Sequence, residues 1–171
     1  MTTRKKREFC FSSILGKEII KNNKHKYHNV STDNHLRNKI VGLYFSSSWC
    51  SPCRQFTPQL IKFYNKFHQD NNFEIVLIPY HEQNEKEYND YFSKMSWYSF
   101  SHKDYLGITK LIKNYQCVTV PTLIFLNSKG HVIQRIVDYE ERNKIILQPE
   151  LLSFLKRDSD SKKNKNSKKR P

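Results

Sequence analysis

The sequence predicts an α/β domain: a mixed central sheet flanked by helices and preceded by an N-terminal β-hairpin. Three observations carry that expectation. The run Ile40-Val41-Gly42-Leu43-Tyr44-Phe45 has no polar interruption, as befits a strand covered by helices on both faces. Directly beyond it, Phe56, Leu60, Ile61, Phe63 and Tyr64 recur at helical spacing, so the strand hands over to an amphipathic helix. Further on, two apolar runs flank Ser128-Lys129-Gly130, the pattern of an antiparallel hairpin. Strands interleaved with helices and closed by a hairpin give a mixed sheet.

Taken in order, residues 1–13 read as a short basic arm carrying Arg4-Lys5-Lys6-Arg7. Residues 15–20 and 27–30 read as the hairpin, around the polar turn Lys21-Asn22-Asn23-Lys24, and 36–39 lead into the strand at 40–45. The helix at 52–69 contains Pro58, which removes one backbone donor and crowds the carbonyl four residues back, so a kink is expected. A strand at 73–80, helices at 84–94 and 108–114, and a hairpin of 123–127 with 131–137 follow. Residues 147–155, with Pro149 in the first turn, read as a final amphipathic helix. Beyond it Ser, Lys and Asn dominate; they bury too little surface to offset chain entropy, so disorder is expected there. The organisation is an arm (1–13), one body (14–155) and a basic tail (156–171), a length suited to a single core.

The net charge of +14 gathers at the ends: residues 1–29 carry +6, 30–155 carry +2 and 156–171 carry +6. The body is nearly neutral, while the tail suits contact with polyanions. No aromatic residue is interleaved in it, so base stacking finds no support. No stretch approaches the roughly 18 apolar residues of a membrane span, and 9–15 is too short and polar for a signal-peptide core. Of four cysteines only Cys50 and Cys53 have a meaningful spacing, which argues against a secreted disulfide framework. A reducing compartment is expected, the cytoplasm or also the nucleus.

Those two cysteines stand in Trp49-Cys50-Ser51-Pro52-Cys53, where the strand becomes the helix. Cys50 at the first turn meets unpaired backbone N–H groups and the positive end of the helix dipole, which favour its thiolate. Cys53, one turn on, is placed to close a disulfide. C-x-x-C is also half of a zinc site, but His25, His28, Cys10 and Cys117 form no second pair of matching frame, so no metal is expected. Cys117 reads as a small buried hydrophobe.

The strings Trp49-Cys50-Ser51-Pro52-Cys53-Arg54-Gln55-Phe56-Thr57-Pro58-Gln59-Leu60, Met95-Ser96-Trp97 and Val120-Pro121-Thr122 resemble the tryparedoxin and nucleoredoxin branch of the thioredoxin superfamily. Ser51 and Ser96 stand where that branch carries proline. The resemblance spans residues 15–137 and implies a thioredoxin-like fold without cofactor beyond the redox-active cysteine pair. It implies a monomeric thiol–disulfide oxidoreductase acting on protein disulfides or a peroxidase partner, with glutathione, a small dithiol or a reductase as reductant. The alternative is a nucleoredoxin-like module whose oxidation state gates a protein partner.

The resemblance makes Cys50 the attacking thiolate and Cys53 the resolving thiol. Trp49, Ser51, Pro52, Val120 and Pro121 are the substrate-contact candidates. Spacing alone leaves Pro121 open between cis and trans; the resemblance implies cis, with Val120 turned towards the dithiol. Trp97 is expected to pack beneath Trp49. Tyr44, His81 and Glu82 are the proton-transfer candidates. Tyr44 is open between a bond near Cys53 and simple packing, and His81 between a base and an exposed loop residue. Residues 138–148 depart from the branch.

Overall fold

The computed structural model describes residues 8–23, 26–137 and Ser153. The chain runs α1 (Ser12–Leu15), β1 (Glu18–Asn23), β2 (Lys26–Ser31), α2 (Thr32–Leu36), β3 (Ile40–Ser46), α3 (Ser51–Phe67), β4 (Phe73–Pro79), α4 (Glu85–Phe92), β5 (Tyr98–Ser99), α5 (Tyr105–Asn114), β6 (Thr122–Leu126) and β7 (Val132–Ile136). One seven-stranded sheet has the order β2-β1-β5-β4-β3-β6-β7. The β3–β4 and β4–β5 pairs are parallel, the others antiparallel.

Strand alternation splits the core into two layers. Tyr44, Ile75, Leu77, Leu123 and Phe125 face the apolar sides of α3 and α4, where Phe56, Leu60, Phe63, Tyr88, Tyr91 and Phe92 pack with Trp97. Val41, Leu43, Phe45, Val76, Ile78, Ile124 and Leu126 face Leu15, Leu36, Ile108 and Leu111 of the other helices. Every residue of β3 and β4 is buried, which is why those strands carry no alternating pattern. Gly42 leaves room for the neighbouring strand: a Cβ there would stand 3.0 Å from the Phe125 ring. At the foot of β4, buried Glu74 pairs with Lys39 at 2.9 Å and accepts the Tyr64 hydroxyl at 2.7 Å, so its charge is satisfied.

The hairpin and central strands are as expected, with several differences at their edges. Residues 9–13, read as the end of an arm, pack on the body: Phe11 is buried and Phe9 meets its ring edge-on at 5.2 Å. Leu15 ends α1 rather than opening a strand, because Gly16 at φ 76 turns the chain there. Lys21, Asn22 and Asn23, read as the turn, extend β1 and pair with His28, Tyr27 and Lys26. Helix α2 was unanticipated, and Ser31 caps it by accepting the Asn34 N–H. So was β5, whose two residues are too short for alternation to register. The expected helix at 147–155, Ser153 apart, and the basic tail lie outside the described residues, as does the segment from Asp138.

Candidate active site

The dithiol sits where β3 hands over to α3. Cys50 is the N-cap of α3, with extended backbone (φ −82°, ψ 113°), and its Sγ accepts the Cys53 N–H at 3.2 Å. Ser51 and Pro52 form the exposed first turn, where proline costs no helix hydrogen bond. Cys50 and Cys53 are joined by a disulfide, their Cα atoms 5.2 Å apart. Cys53 is fully enclosed and Cys50 only 6 % exposed, a narrower opening than the sequence led us to expect. Access is therefore confined to the Cys50 side.

Across from the disulfide, the Val120–Pro121 bond is cis, as the resemblance implied. The Val120 carbonyl oxygen lies 3.7 Å from Cys50 Sγ. Pro121 is buried and Val120 half-buried, while Val118 in the same loop is 82 % exposed. Trp49 is 53 % exposed on the rim, its indole N–H donated to the His81 carbonyl at 3.3 Å. Trp97 is enclosed against the edges of the Tyr44 and Tyr64 rings. The two tryptophans thus occupy the surface and the floor.

Beneath Cys53 lies a chain of buried hydroxyls. Thr57 Oγ1 donates to the Cys53 carbonyl at 2.8 Å and also bonds the Tyr44 hydroxyl at 2.8 Å and the Tyr91 hydroxyl at 2.6 Å. Tyr91 reaches Ser46 Oγ at 2.7 Å. Tyr44 therefore meets Cys53 through Thr57 rather than directly. Burial pushes Tyr44 well above its ordinary value near 10 and raises Tyr91 as well, so both hydroxyls stay protonated donors. Sequence reasoning missed Thr57, Tyr91 and Ser46, although Thr57 follows the cysteines by one helical turn.

The other proton-transfer candidates lie on the loop after β4. Tyr80 N–H donates to the Ser46 carbonyl at 2.8 Å, and His81 then adopts φ 51, which brings Glu82 inward. His81 keeps an exposed ring and serves Trp49 through its backbone. Glu82, 3 % exposed, accepts the Ser48 backbone N–H and, at 2.8 Å, the Ser48 hydroxyl. Arg54 holds the opposite side of Ser48, donating to its carbonyl at 2.8 Å. Ser48 and Arg54 are further residues the sequence reading did not single out. Trp49, His81, Glu82, Gln83, Asn84 and Glu87 line a groove of about 400 Å³ beside the dithiol.

Cys117 is buried, and burial raises its thiol pKa; Cys10 is half-buried. Among the described residues no group of three or more His, Cys, Asp or Glu side chains is arranged to hold a metal ion. None of their helices is long and apolar enough to cross a membrane.

A paired cysteine at a strand-to-helix turn, facing a cis-proline loop on a mixed sheet, defines a thioredoxin-like oxidoreductase. The chain belongs to the thioredoxin-like family, whose sequence model matches residues 38–132. It is 40 % identical over 119 residues to the tryparedoxin of Trypanosoma brucei brucei, covering 70 % of this chain and 80 % of that one. Human nucleoredoxin is 32 % identical over 126 residues, 73 % of this chain but 28 % of that protein. The chain thus spans under a third of that nucleoredoxin's length. Among solved structures, a tryparedoxin II complexed with glutathionylspermidine superposes with a TM-score of 0.68 at 30 % identity, covering 78 % of this chain and 88 % of that one. The thioredoxin-like fold expected from the sequence is thereby established.

Proposed function

We propose that the protein is a protein-disulfide reductase in which Cys50 attacks and Cys53 resolves. The asymmetry between the two sulfurs carries this reading: both are in one disulfide, yet only Cys50 reaches the surface. In the reduced protein the Cys50 thiolate attacks one sulfur of a substrate disulfide; a mixed disulfide forms and one substrate thiolate leaves, taking up a proton. Cys53 then loses its proton and attacks Cys50 Sγ, which releases the second substrate thiol and restores Cys50–Cys53. One substrate disulfide becomes two thiols, and a reductant supplies two electrons and two protons to begin again.

The helix N-terminus favours the Cys50 thiolate. The Val120 carbonyl beside Cys50 offers an acceptor to an extended substrate backbone. Trp49, Ser51, Pro52 and Pro121 supply the surrounding contact surface. Thr57 carries the hydroxyls of Tyr44 and Tyr91 to the backbone of Cys53, a route by which the resolving thiol's surroundings are kept polar but dry. His81 and Glu82 act through Trp49 and Ser48 rather than on a proton.

The substrate is a protein disulfide, including that of a peroxidase, and the reductant a glutathione-type thiol. The glutathionylspermidine held by the related tryparedoxin II supports the latter. Cytoplasmic residence, and polyanion contact through the tail, complete the reading. Reduction of insulin disulfides by catalytic amounts of protein with excess dithiothreitol tests it. Continued turnover supports it; a single equivalent followed by arrest favours the redox-gated binding module, the reading suited to the nucleoredoxin relatives.

A further inference from the structure

The described residues contain two buried carboxylates, and they differ in their partners. Glu74 has Lys39 and the Tyr64 hydroxyl. Glu82 is in no ion pair among the described residues; both its oxygens are turned on Ser48, one accepting the backbone N–H and the other the hydroxyl. Burying a charge without a counter-charge is costly, so this placement calls for a role. Ser48 lies two residues before Cys50, and Arg54 grips its carbonyl from α3. Trp49, between them, is tied to His81. The turn that delivers Cys50 to the helix start is thereby laced to the loop after β4.

We infer that Glu82 is a positioning residue that acts on Cys50 through Ser48, fixing the turn that presents the sulfur and holding a negative charge that opposes the helix dipole there. The inference rests on Cys50 being the attacking thiol. Two effects follow from one side chain. The fixed turn keeps Cys50 aligned with the Val120 carbonyl for exchange. The carboxylate, in a poorly screened setting, disfavours a second negative charge nearby and so holds the Cys50 thiolate short of what the helix terminus alone would give. A less acidic thiolate is the stronger nucleophile once formed, so the carboxylate trades thiolate population against reactivity.

Titratable and charged groups surround this pair on several elements. Tyr88 and Tyr91 of α4 and His102 feel the Glu82 charge. His81 and Glu87 line the same groove, and Arg54 stands on α3. The facing segment 118–121 carries no charged side chain.

The test uses the full reduced protein and follows iodoacetamide labelling of Cys50 against pH by mass spectrometry in E82Q, S48A and E87Q. A glutamine at 82 still accepts the Ser48 N–H through its oxygen and donates to the hydroxyl oxygen through its amide, so E82Q removes charge while keeping shape. The labelling midpoint should fall by about half a pH unit or more in E82Q, roughly a threefold change in thiolate ratio. It should move by less than about 0.1 unit in E87Q, where an exposed carboxylate in the same groove is screened. S48A, which keeps the charge but loses one tether, should lower kcat/KM for insulin reduction about fivefold while moving the midpoint less than E82Q does. A midpoint that E82Q leaves where the parent has it, or shifts no more than E87Q, overturns the inference. Labelling needs no substrate, so an E82Q shift in a protein that never turns over would retain Glu82's role and remove the reductase reading instead.

Discussion

Cys50 Sγ and the Val120 carbonyl oxygen lie 3.7 Å apart, across the gap between the start of α3 and the loop entering β6. That spacing joins two parts of the chain 70 residues apart into one site. It also gives the asymmetry of the cysteines a direction, since the exposed edge of Cys50 opens beside a backbone acceptor while Cys53 faces the core.

In the reduced protein Cys50 should be labelled well before Cys53, with an apparent pKa below the free-thiol value of about 8.5. Its reactivity should therefore persist at neutral pH and fade as pH drops through that pKa. Labelling rates read by mass spectrometry check this, and faster labelling of Cys53 would count against the assignment.

Cys53→Ser leaves attack intact and blocks resolution, so mixed disulfides should accumulate and identify substrates. Cys50→Ser should trap none. Non-reducing gels of affinity-captured protein give the comparison; equal trapping would point to Cys10 or Cys117.

Trp49→Ala should raise KM for a protein disulfide several-fold and leave kcat less affected, because it strips exposed contact area without touching either sulfur. The His81 carbonyl it leaves is on the surface, so stability should fall by about 1 kcal/mol or less. Steady-state kinetics and urea unfolding measure the two effects.

Thr57→Val removes the hydroxyl that joins Tyr44, Tyr91 and the Cys53 carbonyl, leaving buried groups short of partners. Stability should fall by about 1–3 kcal/mol, seen as a lower urea midpoint at unchanged slope.

Alkaline pH should destabilise the fold. Burial raises Tyr44, Tyr64, Tyr88 and Tyr91 above 10, and each is protonated in the folded state where the unfolded chain would ionise. Their contribution is fully present below about pH 10 and is lost as pH rises towards the folded-state values. Tyrosinate absorbance should therefore lag in the native protein and rise together with loss of circular dichroism; early, uncoupled ionisation of all ten tyrosines would contradict this.

The central part of this architecture was legible because local and global signals agree there. An unbroken apolar strand, a proline in a first helical turn and a C-x-x-C pair all point to one handover, and β3, α3 and the disulfide follow. The edges were less legible. α2 and β5 are too short for periodicity, and polar Asn22 and Asn23 extend β1 although their composition suggests a turn, since both pair in the hairpin register and the Asn22 amide donates to the carbonyls of Phe92, Ser93 and Met95 at the end of α4. Glu82 illustrates a deeper limit: the sequence offered it as a proton-transfer candidate, but its contact with Ser48, made after the left-handed backbone of His81, leaves no mark in linear order. Hydroxyl networks such as Tyr44–Thr57–Tyr91–Ser46 join four residues that are polar in isolation, and nothing in linear order announces their contact.

The most direct test of the reductase reading offers the oxidised protein glutathione, a small dithiol and a thioredoxin reductase separately, each with insulin as acceptor, and follows Cys50–Cys53 by alkylation and mass. Reduction of that disulfide by at least one donor, with many insulin disulfides cleaved per protein molecule and none by Cys50→Ser, is the predicted result. If none of the three donors reduces the pair while reduced partner proteins do, the protein is a redox-gated binding module and not a reductase.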